Sequence, residues 1–236
     1  KYILSSCNIN NINIEIVGLG QEWQWRKKIY WLYNFLIESD KEIIIFTDAY
    51  DVFYLENLDV IKNTFLSMNT DILWSSEIWY SHQLQSDKKF YDDFNTQSCY
   101  KYLNSGGVIG YRKKLLNFYS ELIENINNNN KFNKTLQDGC MCMCKDSKKI
   151  YNCDQQYISH FITKNYNKFK LKLDYECKIF YVTCGDWNNI NICKKVVKEK
   201  NPLIIHVPWK YKYEHILEGL FYKKYNFSLN KKDIWG

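Results

Sequence analysis

A chain of 236 residues with 46% hydrophobic side chains has the material for one α/β domain with a substantial core, and length alone does not ask for two. A net charge of +6 arises from 32 basic and 26 acidic residues without a dense basic block, a zinc-finger spacing or an aromatic RNA-binding signature, which argues against nucleic acid as a partner. No apolar run reaches the roughly eighteen residues that a transmembrane helix needs, and two Pro with nine Gly exclude a collagen-like or low-complexity chain.

In chain order, residues 2–6 and 12–17 read as two short strands, the second broken by Gly18-Leu19-Gly20. Ile29, Leu32, Tyr33, Leu36 and Ile37 recur at three- and four-residue spacing and predict a helix from Glu22 to about Ser39-Asp40. A buried strand over 42–47 follows, so strand, helix and strand form a βαβ unit with a right-handed crossover. That strand stops on Asp48-Ala49-Tyr50-Asp51. Asp48 and Asp51 are an odd number of positions apart and cannot face one ligand from extended chain, but in a turn both can hold one hard cation. Two Asp after a strand can equally form a turn or open the next helix.

Val60, Ile61, Phe65 and Leu66 outline the next helix, and a strand over 71–75 ends in Ser76-Glu77. Residues 79–102 lack a steady period and read as a long loop with local helix. Leu103-Asn104-Ser105-Gly106-Gly107 places paired glycines where backbone can approach a ligand, or where a bulge or tight turn sits. Leu115, Leu116, Tyr119, Leu122, Ile123 and Ile126 form an amphipathic helix halted by the run 127–130. Asp154-Gln155-Gln156 opens another helix, with Asp154 where an N-cap belongs. Strands are expected over 171–173 and 178–182, and a last one ends on His206, with Lys210 nearby to neutralise phosphate. Lys223, Lys224, Lys231 and Lys232 read as a solvated face.

Nine cysteines are many for a cytosolic chain. Cys140, Cys142 and Cys144 alternate and share one face of an extended segment, where they can pair with Cys153, Cys177, Cys184 or Cys193. A zinc site fits less well, because the two-residue ligand gap and a nearby His are missing. An oxidising compartment is therefore expected. Asn133-Lys134-Thr135 and Asn226-Phe227-Ser228 are glycosylation sequons. The chain opens at Lys1 without an apolar h-region, as a trimmed or mature fragment would, so no targeting signal is legible.

Gly18-Leu19-Gly20-Gln21-Glu22-Trp23, Phe46-Thr47-Asp48-Ala49-Tyr50-Asp51-Val52, Ser76-Glu77, Leu103-Asn104-Ser105-Gly106-Gly107, Asp154-Gln155-Gln156, Leu173-Asp174 and Ile205-His206, in that order, resemble the glycosyltransferase domain of the procollagen lysyl hydroxylase family. The Asn-, Lys- and Ile-rich composition resembles that of a giant-virus member. The resemblance implies a single GT-A domain over residues 1–236, Rossmann-like, with a mostly parallel central sheet. It implies a manganese ion, Mn2+, held by Asp48, Asp51 and His206. Trp23 and Tyr50 would contact the nucleotide, with Lys28 and Trp31 matching the family's Lys and Trp in the following helix. Asn104, Ser105, Gly106 and Gly107 would border the donor sugar, and Asp154 would face the sugars as the acidic group of the reaction.

The implied activity is retaining transfer of glucose from UDP-glucose to galactosyl-hydroxylysine of a collagen or collagen-like acceptor. The alternatives are galactose transfer to hydroxylysine and a nucleotide- or glycan-binding module without turnover. The expected location is the secretory pathway (ER lumen) of a host cell, or a virus particle. The chain departs from the family in reading His206-Val207-Pro208-Trp209 where a His-Gly-Asn-Gly run is usual, and in placing Cys153 where a carboxylate precedes the Asp-Gln pair. Its connection between the first two expected strands, residues 7–11, is also too short for the family's first helix.

Overall fold

Two β-sheets built from short apolar runs carry the architecture. The computed structural model describes residues 2–22, 24, 26–80, 84–93, 97–129, 133, 153–183 and 190–208. The larger sheet has the order β1 (Ile43–Thr47), β4 (Tyr102–Tyr111), β3 (Ile72–Glu77), β5 (Leu171–Leu173). The smaller has the order β2 (Val52–Tyr54), β7 (Ile204–His206), β6 (Phe180–Val182). The pairs β1–β4, β3–β4 and β2–β7 are antiparallel, whereas β3–β5 and β6–β7 are parallel. The sheet is thus mixed rather than mostly parallel. A short apolar run reveals that it is a strand but not which way it points, and ten-residue β4 runs against both of its neighbours.

The N-terminal expectation was wrong in kind. Residues 2–6 belong to helix α1 (Tyr2–Ile9), and 12–17 form no strand, so β1 is the first strand among the described residues and no βαβ unit opens the fold. Ile3 and Cys7, four apart, bury one face of the helix. Its end is a Schellman turn: Asn11 has φ +53°, Ile12 N–H donates to Cys7 O at 2.8 Å and Asn11 N–H to Asn8 O at 3.3 Å.

The remaining helices fall close to where apolar spacing puts them: α2 (Lys27–Glu38), α3 (Leu58–Ser67), α5 (Arg112–Asn128) and α6 (Asp154–Asn165). Helix α4 (Gln85–Asp92) is the local helix of the long 79–102 segment, and α7 (Ile190–Lys200) precedes β7. Along β3 the side chains alternate: Ile72 and Trp74 enter a core shared with α2, α5 and α6, while Leu73 enters a second core with Ile3, Phe65, Ile109 and Phe180. The paired glycines lie inside β4, with Gly107 opposite Thr47 of β1, and the pairing of β4 with β3 shifts register across them, from Trp74–Val108 to Ser76–Leu103, as a bulge would require. No described helix is long and apolar enough to cross a membrane.

Candidate active site

The end of β1 and the end of β7 meet, and the three predicted ligands meet with them. Asp48 N–H donates to Gly106 O at 3.0 Å, which keeps the first residue of the turn on the larger sheet. Three residues on, just before β2, Asp51 O accepts from Val207 N–H at 2.8 Å, which keeps Asp51 on the smaller sheet beside His206. One ligand atom each from Asp48, Asp51 and His206 lies within 4.8 Å of the others. His206 Nε2 is 3.4 Å from Asp51 Oδ1 and 3.7 Å from Asp48 Oδ2.

The orientation of the imidazole suits a cation. Asn104 Oδ1 accepts from Gly106 N–H at 2.9 Å, and the same oxygen lies 3.2 Å from His206 Nδ1, so Nδ1 carries the proton and Nε2 is turned to the two carboxylates. Room for the ring exists because residue 106 has no side chain: a Cβ there would stand 2.2 Å from His206 Cε1. Burial alone would raise the Asp51 carboxyl, but the neighbouring imidazole outweighs it and holds Asp51 below the usual range. Burial works against the charged form of His206, and Asp51 outweighs it, so the imidazole is held above its ordinary value. A donor set of two carboxylates and one imidazole fits a divalent cation.

Lys28 of α2 reaches the other side of Asp48. Its Nζ is 2.8 Å from Asp48 Oδ1 and 2.7 Å from Asp154 Oδ2, and it donates to Ser105 O at 3.4 Å. Burial disfavours this ammonium, but Asp154 and Asp48 more than compensate and hold its pKa well above the ordinary lysine range. Asp154 is the first residue of α6 and not its cap, a position that Cys153 takes; its carboxylate turns to Lys28 instead. The adjacent Gln155 links two strands, accepting from Ser105 N–H at 3.0 Å and donating to Glu77 Oε1 at 2.7 Å. That Glu77–Gln155 contact was not legible as a pair; its trace was a Glu at a strand end and an amide after the helix-opening Asp.

The structure thus brings together Asp48, Asp51, His206, Lys28, Asp154, Asn104, Ser105 and Gly106. Gly107 adjoins them under the ring of Phe180. Tyr50 is exposed in the turn between the two Asp residues. Trp31 is engaged elsewhere: its indole N–H donates to Gln21 Oε1 at 3.3 Å, and its ring lies against Gly18, which has φ +76°. Trp23, Lys210 and the lysines from 223 onward lie outside the described residues, as do Cys140, Cys142, Cys144 and Cys184, the sequon at 226 and Thr135 of the other.

Comparison with known proteins places this geometry. The family model described as "PLOD GT domain" matches residues 1–136, more than half of the chain. The chain belongs to the PLOD GT domain family. As a member of that family it is a glycosyltransferase domain. Among curated relatives of this PLOD GT domain, procollagen-lysine,2-oxoglutarate 5-dioxygenase of Drosophila melanogaster is 30% identical over 137 residues, 52% of this chain and 18% of the relative. Procollagen-lysine,2-oxoglutarate 5-dioxygenase 2 of Mus musculus is 26% identical over 203 residues, 77% of this chain and 23% of the relative. The uncharacterized protein R699 of Acanthamoeba polyphaga mimivirus is 29% identical over 188 residues, 74% and 34%. The chain therefore spans about a third or less of the length of these relatives. Among solved structures, mouse xyloside xylosyltransferase 1 is 12% identical with a TM-score of 0.46, covering 78% of this chain and 63% of that one. A glycosyltransferase involved in glycosylation of the major capsid of PBCV-1 is 11% identical with a TM-score of 0.47, covering 91% and 87%.

Proposed function

We propose that this PLOD GT domain transfers glucose from UDP-glucose to galactosyl-hydroxylysine of a collagen or collagen-like acceptor, with Mn2+ as its metal and retention of anomeric configuration. The observation that carries the reading is the convergence of Asp48 Oδ2, Asp51 Oδ1 and His206 Nε2 from two sheets, with Nδ1 of the imidazole already committed to Asn104. A divalent cation held there supplies Lewis acidity to the diphosphate as negative charge develops on it. Hydroxylysine as the acceptor is supported by two relatives whose names specify procollagen lysine as the residue they act on.

The chain's own residues then have distinct tasks. Lys28 holds Asp48 by Oδ1 and leaves Oδ2 on the side of His206, where it would serve as a ligand, and its positive charge would add to the field that favours a departing UDP. Asp154, on the far side of Lys28, steadies positive charge at the anomeric carbon or orients the acceptor hydroxyl. In a retaining transfer on one face, the acceptor oxygen bonds to the anomeric carbon as the carbon–oxygen bond to UDP breaks, and a diphosphate oxygen takes the acceptor's proton. No separate base is needed.

The test supplies UDP-glucose or UDP-galactose with Mn2+ to a galactosyl-hydroxylysine peptide and to a hydroxylysine peptide, and measures UDP release and product linkage. Glucose transfer to the first peptide is the expected result. Galactose transfer to the second would replace the reading with the hydroxylysine galactosyltransferase, and no turnover of either would leave a binding module.

A further inference from the structure

The metal ligands straddle a seam. Asp48 is held by the larger sheet and Asp51 and His206 by the smaller, so the placement of one sheet against the other sets the distance between them. One buried residue outside the ligand set binds both sheets. Asp174, fully buried, follows β5 immediately. Its backbone belongs to the larger sheet: the N–H donates to Trp74 O at 2.9 Å, and its carbonyl accepts from Ser76 Oγ at 2.8 Å. Its carboxylate belongs to the approach to the smaller sheet. Oδ1 accepts from Lys178 N–H at 2.9 Å, and Oδ2 accepts from Ile179 N–H at 2.7 Å and Phe180 N–H at 2.8 Å.

What those three donors position leads directly to the site. Phe180 opens β6, and its ring covers Gly107 of β4. Two residues on, Val182 is paired with His206, and Thr183 N–H donates to His206 O at 3.0 Å. The chain of contacts is continuous from β3, through one carboxylate, to the backbone of the imidazole ligand. A carboxylate that accepts three backbone N–H groups is also a rigid joint, because no rotation of its side chain keeps all three.

We propose that Asp174 is a positioning residue for the metal site, setting the separation of Asp51 and His206 from Asp48 without touching the ion or the sugar nucleotide. The inference rests on the metal-dependent reading above. Asp174→Asn keeps the shape but turns an amide NH2 toward backbone N–H donors. In the folded variant, the Mn2+ dissociation constant measured by calorimetry with the metal alone rises about tenfold, as when a ligand loses its outer support. Leu122→Ala, in the core of α5 and remote from the seam, is the control for destabilisation as such: it lowers the melting temperature and leaves Mn2+ affinity at the wild-type value. Ser76→Ala removes a milder contact to the same residue and raises the constant by a few-fold, which decides the matter if Asp174→Asn does not fold. An unchanged constant in folded Asp174→Asn, or in Ser76→Ala where only that variant folds, overturns the proposal, as does an equal loss in Leu122→Ala. Wild-type protein that binds no Mn2+ overturns the metal-dependent reading itself, and the two failures are thereby told apart.

Discussion

Helix α6 carries two buried polar clusters, and they are built to opposite rules. At its first residue, Asp154 joins Lys28, Asp48, Asp51 and His206, where three carboxylates face one lysine and one imidazole. Further along the same helix, His160 Nδ1 lies 2.7 Å from Asp87 Oδ2 of α4, and Ser159 exchanges a hydrogen bond of 2.7 Å with Tyr91. There one carboxylate meets one imidazole, with Lys164 Nζ at 4.0 Å from its other oxygen. The second cluster is closed and fastens two helices; the first has more carboxylates than cationic partners, two of them only part-buried, and a further cation would balance it. Burial of ionisable groups does not mark a site, because both clusters contain buried ionisable groups, but the imbalance does.

Breaking the comparison at its open end has the largest expected effect. Asp51→Ala lowers transfer about a thousandfold, equivalent to several kcal/mol of lost charge stabilisation, while the melting temperature stays near wild type because a surplus carboxylate has gone. Substantial UDP release from that variant with Mn2+ present would show that the excess charge serves no ion. Lys28→Met is expected to cost about 3 kcal/mol of stability, because buried Asp154 and part-buried Asp48 lose their shared cation; chemical denaturation measures it. Added Mn2+ should restore part of that loss by mass action.

The closed cluster predicts the reverse pattern. His160→Gln leaves Asp87 buried without its imidazole and lowers stability by about 3 kcal/mol, near 10 °C in melting temperature, yet the folded enzyme keeps its kcat. A fall in kcat that parallels the fall in stability would mean that the two clusters act as one. Gly106→Ala sharpens the picture from the backbone side. A Cβ 2.5 Å from His206 Nδ1 displaces the ring, so transfer drops about a hundredfold with little change in far-UV circular dichroism.

How much of this was legible in the sequence depends on what sets each feature. The helices α2, α3 and α5 were readable because the apolar positions that reach the core repeat at three and four residues. Asp48, Asp51 and His206 were readable as ends of apolar runs, which is a local property. Strand direction was not, because β4 owes its place between β1 and β3 to contacts remote in sequence. Strand β2, three residues long, was overlooked: Val52, Phe53 and Tyr54 are all buried and show no alternation. Helix α1 was mistaken for a strand although Asn10 and Asn11 mark its end, since eight residues barely complete two turns of apolar spacing. Lys28 was expected near the nucleotide, and its place between two carboxylates needs a third dimension to be seen.

Gly106 contributes no charge and no donor side chain. Yet the imidazole of residue 206 occupies the volume in which any other amino acid would put its first carbon. In a saturation scan scored by turnover, position 106 would therefore rank beside the acidic residues, and a reader of that map would take an empty space for a reactive group.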